Sequence, residues 1–233
     1  MAEFEVCIDS LEGALAADKF GADRVELCSA LYEGGLTPSH GLIKACVEQS
    51  QQDIFVMIRP EAGGFCYTTP MVEVMKTDIV AAAELGAKGV VFGILHADQQ
   101  IDFSVTRVLV ELAHHHQLQA VFHRAFDFCP DPEMALSRLI ELGVDRLLTS
   151  GQAPKAIQGS EMIRQLVAQS QGRIEIMAGS GVMPENAKIL IDTGVAAIHF
   201  TAGKIEEELQ LGMGVKYVVD EQKIERIMQH KRS

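Results

Sequence analysis

Four segments of the chain repeat one pattern, and it restricts the fold more than any other feature. Residues 21–29 (GADRVELCS), 86–93 (GAKGVVFG), 143–151 (GVDRLLTSG) and 194–203 (GVAAIHFTAG) each open with a glycine that closes a helical stretch, then run into a short β-rich stretch. Glycine tolerates the left-handed backbone at a helix C-terminus, so each segment reads as a helix-to-strand junction. Repeated βα units imply parallel strands joined by helical crossovers.

Strand-like runs begin near Phe4, Arg24, Ile54, Gly89, Gln119, Asp145, Arg173 and Ala197, a count of eight. Between them lie stretches with helical spacing: Val105, Val108, Leu109 and Leu112; Val72, Met75 and Ile79; and, over a shorter span, Ile163, Leu166 and Val167. The last strand-like run, Ile198-His199-Phe200, is followed by an uneven stretch, 204–218, before a final helix from about Asp220. Eight strands alternating with eight helices favour a closed (β/α)8 TIM barrel of the α/β class, one domain over residues 1–233. An open doubly wound sheet is the main rival. The strand count and the absence of a Pro/Ser-rich linker favour the barrel. The 48% apolar content is enough for one sizeable core.

The net charge of −12 argues against a broad basic face, and so against nucleic acid as a partner. No apolar run approaches the ~18 residues of a membrane span, and no basic-then-apolar leader is present, so the expected setting is soluble and cytoplasmic. The five cysteines, Cys7, Cys28, Cys46, Cys66 and Cys129, form no CxxC pair and read as reduced thiols.

In a barrel of this kind the residues at strand ends and in the loops beyond them form the functional face. Period-two reading directs Glu5, Cys7 and Asp9 inward from the first strand, and Arg24, Glu26 and Cys28 from the second. The third offers Arg59, the seventh Glu175, and the eighth His199 and Thr201, while the parity of 121–127 is ambiguous. Such an interior is unusually ionic, and Glu5, Glu26 and Glu175 need partners among Arg24, Arg59, Arg124 or a histidine. Glu5, Arg24 and Glu175 lie deeper and suit a structural salt-bridge core as well as a site.

Glu26, Arg59, His123, Arg124, Asp127 and His199 form the candidate catalytic set: an arginine to clamp a carboxylate or phosphate, a histidine or glutamate as acid or base. The short glycine runs after the seventh and eighth strands, with Ser180, Gly181, Thr201 and Gly203, fall where barrels hold phosphate on backbone N–H groups at helix starts. Cys7 and Cys28 each follow an inward glutamate by two residues on neighbouring strands. That places them within reach of one soft metal ion, of a disulfide, or of each other as plain core residues. The run His114-His115-His116 cannot converge on a metal, because successive helical residues point ~100° apart.

The stretches FEVCIDS (4–10), GADRVELC (21–28), EGGLTPS (33–39), MIRP (57–60), FCY (65–67), FHRAFD (122–127), LTSGQ (148–152), MAGSGV (177–182) and IHFTAG (198–203) resemble, in order, the CutC copper homeostasis proteins. The resemblance implies a TIM barrel, a cytoplasmic setting and a link to copper. The family's proposed Cu(I) ligands, one cysteine after each of the first two strands, match Cys7 and Cys28. The chain departs from the family pattern at Glu61 and Gly64 and in a shorter 204–218 segment. Copper binding and homeostasis is the first functional reading. The alternatives are a barrel isomerase, lyase or hydrolase acting on a phosphorylated or carboxylated small molecule, and a non-catalytic binding or scaffold protein whose charged pocket is internally satisfied.

Overall fold

In the computed structural model, which describes residues 2–208 and 215–231, the four junction glycines do what the repeat demands. Gly21, Gly86, Gly143 and Gly194 adopt φ of 75°, 92°, 79° and 91°. The N–H of each turns back to the carbonyl three residues earlier, of Asp18, Ala83, Ile140 and Ile191. A Cβ at these angles would be strained, so each glycine ends its helix and aims the chain at the next strand.

The strands are β1 (Glu3–Ile8), β2 (Arg24–Leu27), β3 (Asp53–Met57), β4 (Gly89–Phe92), β5 (Gln119–Phe122), β6 (Arg146–Thr149), β7 (Glu175–Gly179) and β8 (Ala197–Thr201). Each begins within two residues of its expected start. They pair in sequence order, and β8 returns to β1 in parallel, from Glu3 opposite Ala197 to Cys7 opposite Thr201. That last pairing closes the barrel and excludes the open sheet.

Eight helices alternate with the strands: α1 (Leu11–Phe20), α2 (His40–Gln49), α3 (Thr69–Glu84), α4 (Phe103–His115), α5 (Pro132–Glu141), α6 (Ser160–Ser170), α7 (Ala187–Ile191) and α8 (Glu221–Met228). Their starts are set by short polar side chains. Ser10, Ser39, Asp102, Asp131 and Asp220 each accept an N–H from the first turn of the helix that follows, a cap worth about 1 kcal/mol. The α4 stripe is rotated from the spacing read in sequence. Val108 is 41% exposed, and the buried face is Thr106, Leu109, Val110 and Ala113.

Outward strand residues such as Phe4, Val6, Val25, Leu27, Phe92, Phe122, Ile198 and Phe200 pack under the helices as the main core. Burying each such side chain contributes ~1.5–3 kcal/mol. The inward set is smaller: Cys7, Cys28, Phe55, Met57, Val91, Val121, Leu148, Met177 and Ala197. Two inward glycines make room within it. A Cβ on Gly89 would sit 2.1 Å from the Phe55 ring, and one on Gly93 2.5 Å from His123 Nδ1.

The uneven 204–218 stretch contains an exposed antiparallel hairpin, β9 (Gly203–Glu208) and β10 (Val215–Val219). Residues 209–214 of that stretch lie outside the described residues. Asp220 N–H donates to Ala202 O at 2.6 Å, which ties the two ends of the excursion together before α8 begins.

Candidate functional site

The inward charges lie at three depths. At the floor, Arg146 is 3% exposed and reaches Glu3 at 2.5 Å and Glu175. The sequence reading set Glu175 among the interior acids that pair with Arg24, Arg59, Arg124 or a histidine. It is instead the first residue of β7, with a side chain 51% exposed at the mouth opposite the functional face, and its partner is Arg146. One step up, Arg24 pairs with the fully buried Glu5 and lies 3.4 Å from the Phe55 ring centroid.

The middle layer joins Glu5 to the site. His199 Nδ1 meets Glu5 Oε1 at 2.6 Å, and His199 Nε2 lies 3.7 Å from Glu26 Oε2. Above them the Cys7 and Cys28 sulfurs are 3.9 Å apart, and the Cys28 thiol donates to Glu26 at 3.6 Å. Parallel pairing causes this convergence, since Cys7 sits opposite Glu26 on one side and Thr201 on the other. Cys7, Glu26 and His199 each offer a ligand atom within 4.8 Å of the others.

Burial pushes the Glu5 carboxyl up, but Arg24 and His199 more than offset it and hold the group at about 2. Burial pulls His199 down, yet Glu26, Cys7 and Glu5 outweigh it and hold the imidazolium well above the usual histidine range. Glu26 is raised, chiefly by burial against the opposing pull of His199. The hydrogen bond with Cys28, then burial, raises Cys7 well above an ordinary thiol. For Cys28 the bond with Cys7 lowers, but burial and Glu26 win, to about 11. Both thiols therefore hold their protons near neutral pH.

The upper layer lines a cavity of about 440 Å³, shared by Cys7, Glu26, Arg59, His123, Arg124, Ser180, Gly181, His199 and Thr201. Most of the candidate residues thus meet at one mouth. Asp127, Gly203 and the fully buried Cys28 stand outside that wall. Asp127 accepts from Thr149, the Ser150 backbone and hydroxyl, and Arg124 Nε at 2.8 Å, so it positions Arg124 and the loop after β6. Gly203 opens β9 rather than a helix, so the expected phosphate cradle of helix starts is not built after β8. Ser180 Oγ donates to Pro154 O. Gly203 instead lines a neighbouring cavity of about 480 Å³, with Cys7, Asp9, Tyr32 and Tyr217. Cys7, Leu31 and Thr201 line both.

Arg59 was expected to meet a carboxylate, but its Nη atoms donate to the backbone carbonyls of Glu33, Gly35 and Gly63. The pocket is not internally satisfied. Glu26 Oε1, Arg59 Nε and His123 Nε2 are buried without hydrogen-bond partners among the described residues. Sequence reasoning missed Phe65, Phe128 and Lys223 on the wall. Lys223 carried no signal, because it belongs to α8, which follows the hairpin in sequence. Of the other thiols, Cys46 is packed in α2, Cys129 is buried beside Gln152, and Cys66 is exposed. His114 Nε2 contacts Asp145 at 2.9 Å.

Residues 2–204 match the family model described as the CutC family. The "family protein CutC" of Vibrio vulnificus (strain YJ016) is 49% identical over 200 residues, spanning 85% of this chain and 80% of that protein. The protein of the same name from Glaesserella parasuis serovar 5 (strain SH0165) is 47% identical over 199 residues, 85% of this chain and 81% of that one. The crystal structure of a CutC from Streptococcus agalactiae, named for copper homeostasis, superposes with a TM-score of 0.80 at 36% identity, covering 85% of this chain and 98% of that one.

Proposed function

The chain belongs to the CutC family, and from that premise and the buried thiol pair we propose that it is a cytoplasmic copper homeostasis protein that takes up Cu(I) through Cys7 and Cys28. The observation that carries this reading is the 3.9 Å between the two sulfurs. With the ~2.3 Å of a zinc–thiolate bond as a guide, two thiolates on one ion lie no more than ~4.6 Å apart. The strands already hold the sulfurs inside that limit. Thiolates are soft donors and suit a soft monovalent ion, while His199 and Glu26 stand ready as further donors.

Cys28 is fully buried, whereas Cys7 lines both cavities, so an ion arrives at Cys7 first. Because both thiols are protonated when empty, uptake displaces protons and strengthens as pH rises. The test is anaerobic competition against a Cu(I) chelator, with Cys7→Ser and Cys28→Ser alongside the natural protein. Loss of high-affinity binding in both variants is expected. Unchanged affinity in both removes the pair as a copper site.

A further inference from the structure

Beside Cys7, Glu26 and His199, the cavity above the thiols is lined by groups that copper does not use. Arg59 is 4% exposed, yet no carboxylate lies within ion-pair distance of it among the described residues, and its Nε bonds nothing. The neighbouring phenol of Tyr67 is pushed up to about 12 by burial and so remains uncharged. Keeping a guanidinium without a counter-charge in such surroundings is unfavourable, and an anion entering from solvent relieves it.

His123 carries a second sign. Its Nδ1 accepts the N–H of Ala125 at 3.1 Å, so the neutral ring carries its proton on Nε2, which is buried and unpartnered. Burial, then the charges of Arg59 and Arg124, keep that ring neutral by holding its pKa down to about 3. The wall thus offers an N–H donor inside a positive potential. Lys223, free of any contact ion pair among the described residues, adds another cation, and Arg124 stands at the rim, oriented by Asp127. Glu33 at the rim is exposed, and the inward carboxyl, Glu26, has Oε1 unbonded.

We infer that this cavity binds a small organic oxyanion bearing a hydroxyl group, its anionic end held by Arg59, Lys223 and the His123 N–H and its hydroxyl by Glu26. The volume of about 440 Å³ suits a metabolite-sized molecule. Phosphate and carboxylate both meet the donor set, and both are oxyanions that arginine grips through paired N–H groups. None of these contacts uses a thiol.

The test is calorimetry and thermal unfolding of the metal-free full chain with glycerol 3-phosphate, glycerate, inorganic phosphate and uncharged glycerol. Glycerol 3-phosphate or glycerate should bind and raise the melting temperature, their ratio telling phosphate from carboxylate, while glycerol does neither. Lys223→Gln, on a partly exposed helix face, should weaken that binding by about tenfold, a loss of ~1.4 kcal/mol. Arg59→Gln should abolish it; if that variant fails to fold, Lys223→Gln decides alone. Glu26→Gln should narrow the gap between glycerol 3-phosphate and inorganic phosphate. The chain is metal-free throughout, so anion binding that persists without copper separates this site from the copper proposal. Absence of binding by both organic anions, or binding that Lys223→Gln leaves unchanged, overturns the inference.

Discussion

The strands β2 and β6 are entered through nearly the same text, Gly-Ala-Asp-Arg at 21–24 and Gly-Val-Asp-Arg at 143–146, and finish in different chemistry. In both, the aspartate reaches back to the preceding strand: Asp23 accepts the Phe4 N–H at 2.8 Å and Asp145 the Ala120 N–H at 2.7 Å. In both, the arginine turns inward to carboxylates, Arg24 to Glu5 and Arg146 to Glu3 and Glu175. Two residues on, β2 presents Glu26 and then Cys28, where β6 presents Leu148 and Ser150. The Ser150 hydroxyl is fully engaged by Asp127, Arg124 and Ala153 O, whereas Glu26 keeps an oxygen unbonded. Shared text builds the barrel floor, and divergence begins where the strand reaches the mouth.

The comparison is most open to attack at the arginines. Arg24→Met strands Glu5, which is 0% exposed, and should cost about 3–5 kcal/mol in urea unfolding. Arg146→Met releases Glu3 and Glu175, 46% and 51% exposed, into water and should cost ~1 kcal/mol or less. Equal costs would show that the two floors are not distinguished by depth.

Acid titration gives a somewhat smaller effect. The folded pKa of Glu5, about 2, lies below its ordinary 4.5, so its contribution is complete above pH 4.5 and is lost as pH falls from there toward 2. Glu5→Gln should flatten the stability profile in that window by up to a few kcal/mol. A slope that persists unchanged assigns the acid sensitivity to other carboxylates.

The aspartates should behave alike. Asp23→Ala and Asp145→Ala each leave one strand N–H without its acceptor, and each should cost about 1–2 kcal/mol. A large gap between them would break the equivalence of the two openings.

Smallest for folding is the exchange of tips. Writing the β6 ending into β2, as Glu26→Leu with Cys28→Ser, removes a carboxyl whose burial already disfavours its charge. Stability should stay within ~1 kcal/mol while Cu(I) binding disappears. A collapse of stability would make Glu26 part of the structural floor.

How much of this was legible follows from which interactions are local. The junction glycines and the period-two alternation depend on neighbours in sequence, so strand starts, barrel closure and the inward set of β1 and β2 could all be read directly. Parity at the end of the fifth strand could not, because His123 turns inward only where Gly93, just past the adjacent strand, leaves space for its ring. Glu175 lies deep on its strand as expected, but its partner was missed, because Arg146 stands opposite it on β6. The partners of Arg59 are loop carbonyls, which every residue possesses and no composition reveals. Phe65 and Phe128 were missed because a loop delivers the first and a short 3-10 turn, Arg124–Phe128, the second.

The hairpin after β8 gives the molecule a modular accessory. It departs and returns beside the hydrogen bond between Ala202 and Asp220, and none of the eight barrel pairings passes through it. Yet Tyr217 and Val219 wall one approach to Cys7, and the hairpin's far end leads into the helix that carries Lys223. Exchanging residues 203–219 for another excursion would therefore retune which molecules gain entry while leaving the cylinder beneath untouched, making this the natural grafting point for redesign.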